Sequence, residues 1–351
     1  MLIIHRSSIN WCTSFIRSAL RSFVLRLGWR MSRLSPRSVL ITGASSGLGL
    51  ALAINLVQQP ASQVRHIAIC GRDAAKLEDA KRRLVLAAVP GCAIIVLARV
   101  VDVRSADEMG KFIRDANDAC PLDLVVANAG IATPTLNGGA KDLAALENPL
   151  KGMLTEMETA RDIVEINLIG VINTALPAVE ALRKGETRRT SLVIISSLST
   201  LGIHLAAGAG HFGLRGALVY IATKHAVTTL ADGLRAELRM GAPASPHWSK
   251  KDDSPSSAGQ QLENGAQDDD VDDNARLREV TVTTVFPPFV ATGMTRDHST
   301  AFTRGMPVDK AAEVIARGVL RGREHVAFPT WQVLSLRAMN CCPRFCLAWC
   351  L

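Results

Sequence analysis

The sequence predicts an α/β protein: a doubly wound parallel sheet of about seven strands in three layers, α/β/α. Three observations lead there. From Ser38 onward, short β-branched runs alternate with longer segments of helical period. The short runs are continuously apolar rather than alternating, as in strands covered by helices on both faces. The first run also passes directly into a glycine-rich turn and then a helical segment, the start of a crossover unit.

Strands are predicted at 38–42, 66–70, 94–101, 123–127, 191–196, 280–286 and 325–328, with helices at 47–58, 73–88, 105–119, 158–184, 217–240 and 309–321. No repeat of 20–50 residues is present, and 351 residues suit one large domain at 38–330. Three stretches break the rhythm. Residues 132–157 and 198–216 read as loop insertions bordering a pocket. Residues 241–278 are rich in Pro, Ser, Gly and Gln and include Asp268, Asp269, Asp270, Asp272 and Asp273. That segment lacks the glycine turn and closing glutamate of an EF-hand, so it reads as a disordered acidic linker rather than a calcium loop.

The formal charge of +8 is concentrated at one end. Arg6, Arg17, Arg21, Arg26, Arg30, Arg33 and Arg37 lie in an acid-free extension, residues 1–37, and without them the balance falls to +1. A nucleic-acid partner is therefore not expected. The extension is amphipathic, with Phe15, Ile16, Ala19, Leu20, Phe23, Val24 and Leu27 at helical spacing. It reads as a mitochondrial presequence or an interfacial anchor of the endoplasmic reticulum type, or as untranslated sequence before a start at Met31 that leaves a cytoplasmic protein. The C-terminal tail, 331–351, carries Trp331, Trp349 and Cys341, Cys342, Cys346 and Cys350 without zinc-ligand spacing. No metal is expected there, and the tail reads as a cover for the core or a hydrophobic rim.

The chemistry begins at the glycine turn. Thr42-Gly43-Ala44-Ser45-Ser46-Gly47-Leu48-Gly49 joins a strand to a helix, where backbone N–H groups and the helix N-terminus can meet a pyrophosphate. The second strand ends at Cys70-Gly71-Arg72, the position that meets the adenosine ribose. A cation there suits a 2′-phosphate, so NADP(H) is expected rather than NAD(H). Asp102, closing the third strand, is a candidate acceptor for the adenine amine. Tyr220 and Lys224 stand four residues apart, hence on one helix face. A neighbouring ammonium is expected to lower the phenol pKa toward working pH, making Tyr220 a general acid or base. Ser197, just after the fifth strand, can hydrogen-bond a substrate oxygen.

In this order and context the residues resemble the short-chain dehydrogenases/reductases over about residues 38–330. The elements are TGxxxGxG (Thr42, Gly43, Gly47, Gly49), NAG (Asn128, Ala129, Gly130), a helix asparagine (Asn167), Ser197 and YxxxK (Tyr220, Lys224). The resemblance implies a Rossmann-type sheet, an Asn167–Ser197–Tyr220–Lys224 catalytic set and a homodimer or homotetramer. It also implies that Lys224 and Tyr220 reach the nicotinamide ribose, that Asn167 supports a water relay and that Asn128 supports the central strand and cofactor. Pro287, Val290 and Thr292 would border the nicotinamide, with Thr292 on its carboxamide.

The departures from the family pattern bear on substrate. Ser197 and Tyr220 are 23 positions apart, about ten more than usual, which makes Ser199 a competitor for the serine role. His204 and His211 fall in the added segment. Pro288 replaces a usual glycine, and Pro287-Pro288 is similar to 3-ketodihydrosphingosine reductases. The expected activity is interconversion of a ketone and a secondary alcohol on a lipophilic substrate such as a 3-keto sphingoid base, steroid, retinoid or acyl chain, with peripheral membrane contact. The alternative is an NADP(H)-binding regulatory or scaffold protein without turnover.

Overall fold

Strand β1 (Ser38–Thr42) is buried along its whole length, with Val39 and Ile41 facing one side of the sheet and Leu40 the other. It is flanked in space by β2 (His66–Gly71) and β4 (Leu124–Ala127), and β3 (Ile95–Val100) forms the outer edge beyond β2. β5 (Thr190–Ile195) and β6 (Val280–Phe286) continue from β4. The short pair β7 (Val290–Ala291) and β8 (Met306–Pro307) stands apart as a second sheet, and β9 (His325–Ala327) closes the main one. The order is β3-β2-β1-β4-β5-β6-β9, all parallel. This computed structural model describes residues 33–59, 63–89, 91–132, 157–184, 189–202, 218–240, 279–293 and 305–334.

Each face is covered by helices. α1 (Gly47–Gln58), α2 (Ala74–Ala87) and a later helix at Val308–Leu320 share one core with Val39, Ile41, Leu56, Leu84 and Ile315. The opposite core joins Leu40, Val125 and Leu192 to α3 (Ala106–Ala119) through Phe112 and to two further helices through Ala175 and Ala231. The expected three-layer architecture is thus present. The chain winds outward from β1 to β3, then returns to place β4 beside β1. At such a reversal the loops leaving the two strands part, and a crevice opens at the carboxyl edge.

The helix predicted over 158–184 is not continuous. α4 (Met157–Val164) runs into a π-helical turn at Glu165–Ile169 and then α5 (Gly170–Arg183). The turn forms where the helix is closely packed: a Cβ on Gly170 would lie 2.6 Å from Val103 Cγ2, and Asn167 is hydrogen-bonded to the backbone of Ile131. The run Met157–Arg183 has the length and composition of a membrane span, but half of its apolar window is buried in the core, as a sheet-covering helix requires. α6 (Leu218–Arg239) and α7 (Val308–Leu320) match expectation within a residue.

Leu34 already belongs to the core, four residues before the expected domain boundary, and its N–H donates to Leu320 O at 2.8 Å. The unpredicted β7–β8 pair is too short to leave a periodic signal. Of the expected insertions, 198–216 is described only at Leu198–Gly202, a 3₁₀ turn. Residues 133–156 and 241–278, most of the basic extension, His204, His211 and the cysteine cluster lie outside the described residues.

Candidate active site

The loop leaving β1 is built by exclusion of side chains. Gly43 has φ +65°, and a Cβ on it would stand 2.8 Å from Ala129 Cα. A Cβ on Gly49 would meet Asn128 Nδ2 at 2.5 Å, so the helix start and the β4 loop approach closer than any side chain permits. Thr42 Oγ1 accepts from the N–H groups of Asn128 and Ala129, both at 3.1 Å, and lies 3.4 Å from Val126 O as donor. Asn128 Nδ2 donates to Thr42 O at 2.9 Å and Gly43 O at 3.3 Å. Ser45 sits against Gly71, Ser46 is exposed, and the Leu48 side chain packs on the core, leaving its backbone N–H as the group that can meet a ligand.

The N-terminus of α1 differs from those that follow. Asp73 caps α2 by accepting from Lys76 N, and Ser105 caps α3 by accepting from Glu108 N. Ser46, the cap residue of α1, makes no side-chain cap bond, and the first turn holds no acid. Its first N–H groups and the positive end of its dipole are therefore left for an anion. With Gly43 and Gly47 both at positive φ and no room for a Cβ at Gly43, the residues present fit a dinucleotide pyrophosphate.

On the adenine side, Arg72 is exposed just past β2. Asp102 accepts from Arg104 N at 3.0 Å on one oxygen, and from Arg104 Nε and a terminal guanidinium nitrogen at 2.9 and 2.7 Å on the other. These bonds hold its carboxyl below the usual range, with Arg72 adding a smaller pull. A carboxylate has about four acceptor positions, so about one remains for an adenine amine. Arg104 was not singled out from the sequence. It also reaches Asp162 at 3.2 Å and Glu165 at 3.7 Å, and Asn173 Nδ2 donates to the carbonyls of Val103 and Arg104, both at 3.0 Å.

The end of β5 and the first turns of α6 bring the proton-handling candidates together. Ser197 follows the strand, and its hydroxyl hydrogen-bonds the Tyr220 phenol. Lys224 is buried, with Nζ donating to Ile195 O at 3.0 Å and lying 5.7 Å from the Tyr220 ring centroid. Ser196 Oγ donates to Lys224 O at 3.1 Å, which ties the helix to the strand. Asn167 is fully buried: Oδ1 accepts from Ile131 N and Nδ2 donates to Ile131 O, both at 2.8 Å, with Thr223 Oγ1 at 3.4 Å. A Cβ on Gly130 would lie 3.2 Å from Asn167 Oδ1 and 3.4 Å from Lys224 Nζ, so the three converge on one point. Thr223, the residue before the lysine, links this group to Tyr220 O at 2.7 Å and left no distinctive signal in the sequence.

The electrostatics differ from expectation. Burial raises the Tyr220 phenol above its ordinary value, and the Ser197 hydrogen bond only partly counters it. Lys224 does not lower it, because the same burial pushes the ammonium down to about 8 and its nitrogen is directed at Ile195 O. The third lip comes from β6: Pro287 O accepts from Leu198 N at 2.9 Å, Val290 is buried, and Thr292 lies 3.7 Å from where a Gly47 Cβ would be. Thr292 is thus set against the glycine loop.

Residues 37–241 match the family model of short chain dehydrogenases. The chain belongs to this family. An uncharacterized oxidoreductase of Myxococcus xanthus is 29% identical over 86% of the chain and 91% of its own length. The 3-dehydrosphinganine reductase TSC10A of Arabidopsis thaliana is 33% identical over 45% of the chain and 41% of its own length. Among solved structures, an alcohol dehydrogenase of Thermococcus sibiricus complexed with 5-hydroxy-NADP superimposes with a TM-score of 0.55 at 17% identity, covering 83% of this chain and 95% of that one. Actinorhodin polyketide ketoreductase with NADPH gives 0.53 at 22%, covering 84% and 95%. At these identities the structures show the shared fold. As a short-chain dehydrogenase, the protein is an NAD(P)-dependent oxidoreductase acting on a small-molecule substrate.

Proposed function

We propose that this short-chain dehydrogenase is an NADP(H)-dependent reductase of a lipophilic ketone, with Asn167, Ser197, Tyr220 and Lys224 as its catalytic set. The observation that carries the reading is the meeting of the Ser197 hydroxyl, the Tyr220 phenol and the Lys224 ammonium at the carboxyl edge of β5. When bound, the cofactor supplies a hydride from its nicotinamide ring. Ser197 holds the carbonyl oxygen, and Tyr220, kept protonated by burial, donates its proton to that oxygen as charge develops. Lys224 offers its remaining donors to a ribose hydroxyl, and its depressed pKa suits it to pass a proton back to the phenolate. Asn167 holds the Gly130–Ile131 turn against Lys224.

Arg72 supports the choice of NADP(H): an exposed guanidinium past β2 can take a 2′-phosphate in a bidentate pair. The lipophilic substrate class, with a 3-keto sphingoid base foremost and steroid, retinoid and acyl ketones beside it, is supported by partial similarity to two plant 3-dehydrosphinganine reductases and by Pro287-Pro288. The same reading includes a homodimer or homotetramer and peripheral contact with a mitochondrial or endoplasmic-reticulum membrane through residues 1–30. Fluorescent fusions with and without those residues test the last part; identical cytoplasmic distributions would remove it.

The deciding assay follows NADPH and NADH oxidation over 3-ketosphinganine, a 3-ketosteroid, a retinoid and a 3-ketoacyl substrate. Turnover with NADPH on at least one ketone is expected. Tight NADPH binding without oxidation across the panel points instead to a regulatory or scaffold role.

A further inference from the structure

A second hydroxyl stands behind Ser197. Ser199 donates to Ser197 Oγ twice, from its hydroxyl at 2.9 Å and from its backbone N–H at 3.3 Å. A serine oxygen has two lone pairs and one proton. Both lone pairs are engaged by Ser199, and the proton is all that Ser197 has left to offer. The turn that sets this geometry is held from both sides: Leu198 N donates to Pro287 O at 2.9 Å, and Thr200 donates to Ser197 O from its N–H at 3.1 Å and its hydroxyl at 2.8 Å. Ser199 is half-buried, so water competes poorly for the same lone pairs.

We propose that Ser199 is a positioning residue that fixes the Ser197 hydroxyl as a donor. The inference rests on the assignment of Ser197 and Tyr220 given above. Direction matters because a freely rotating Ser197 hydroxyl can also accept from the Tyr220 O–H. In that arrangement the phenol proton points at serine and away from the substrate oxygen. With its lone pairs filled, Ser197 presents its proton to the phenolic or carbonyl oxygen, and the Tyr220 proton stays available for transfer. Ser199 itself touches neither substrate nor cofactor in this scheme.

Tyr220 is the single tyrosine of the chain, so tyrosinate absorbance during a pH titration reports on it alone and needs no substrate. Ser199→Ala is expected to shift that titration upward by about half a unit, because the phenolate loses a directed donor. It is also expected to lower kcat about three- to tenfold, on the ketone most rapidly reduced in the panel above, with KM for NADPH unchanged. Ser199→Thr, which keeps the hydroxyl, restores both. Where circular dichroism shows Ser199→Ala misfolded, Ser199→Cys, similar in size but a weak donor, carries the same expectation. A wild-type tyrosinate titration and wild-type kcat in the folded variant overturn the proposal. Tyr220→Phe, run alongside, separates the two failures. If it keeps turnover, the parent assignment falls; if it loses turnover while Ser199→Ala is silent, only the role of Ser199 falls.

Discussion

On the β1 side of the carboxyl edge, polar groups are tied to one another: Thr42 Oγ1 takes part in three hydrogen bonds, Asn128 spans two carbonyls, and Gly43 and Gly49 are too close to their neighbours to admit a Cβ. On the β5 side Asn167 and Lys224 are buried and Ser197 and Tyr220 half-buried, with Lys224 donating to one carbonyl among the described residues and Tyr220 held by Ser197. The first side is a rigid backbone mould, suited to a ligand whose shape does not change in the reaction. The second keeps desolvated acids and bases with donor capacity unspent, suited to groups whose charge changes. Binding and chemistry are therefore separable by mutation.

The largest expected separation comes from Tyr220→Phe. Loss of the phenolic proton should reduce kcat about 100- to 10,000-fold, while NADPH affinity by fluorescence titration stays within about twofold. Parallel loss of binding would show that the two sides are not independent. The converse is Gly43→Val, which places a branched side chain at positive φ against Ala129. It should lower stability by about 3 kcal/mol or more in urea unfolding and abolish NADPH binding. A stable Gly43→Val protein that binds NADPH normally would break the description of the β1 side as a mould.

Much of this was legible in the sequence, for a physical reason. Strands and helices followed period and β-branching, and the glycine loop and the Tyr220–Lys224 spacing depend on residue identity over one or two turns. What was not legible depends on contacts distant in the chain. The π-helical turn at Asn167 is set by Val103 against Gly170 and by the Ile131 backbone. The Tyr220 phenol moves up rather than down because burial is a property of the folded surroundings and outweighs a neighbouring cation. The Arg104 links to Asp162 and Glu165 likewise join segments 58 and more positions apart and leave no local pattern.

Lys224 tests the β5 side through stability. Its pKa of about 8, against 10.5 for an ordinary lysine, means that the unfolded chain holds the proton more tightly. Below pH 8 both states are charged and the fold bears the full desolvation cost; as pH rises from about 8 toward 10.5 the folded state loses the proton first and stability increases. Lys224→Met should therefore be more stable than the parent below pH 8, by up to about 3 kcal/mol, with the difference shrinking as pH rises. Urea midpoints between pH 7 and 9.5 measure it, in a range below the Tyr220 titration. A difference independent of pH would show that Lys224 is not desolvated in the fold. On the cofactor side, Arg72→Ala should raise KM for NADPH about 10- to 100-fold and leave KM for NADH nearly unchanged, as loss of one charge-assisted pair requires. Equal effects on the two cofactors would remove the 2′-phosphate from the account.

The smallest expected effect decides whether the two sides communicate. Arg104 binds Asp102 at the end of β3 and reaches Asp162 and Glu165 on the helical run that carries Asn167. Its pairs are partly exposed, and exposed pairs contribute little, so Arg104→Ala should cost less than about 1 kcal/mol in urea unfolding. Removing the side chain also frees two acceptor positions on Asp102, the backbone N–H bond being kept, so NADPH affinity should hold or rise slightly. A fall in kcat with affinity intact would mean that Arg104 holds the Asn167 turn in place across the site. The separation of binding from chemistry would then depend on an arginine that touches neither.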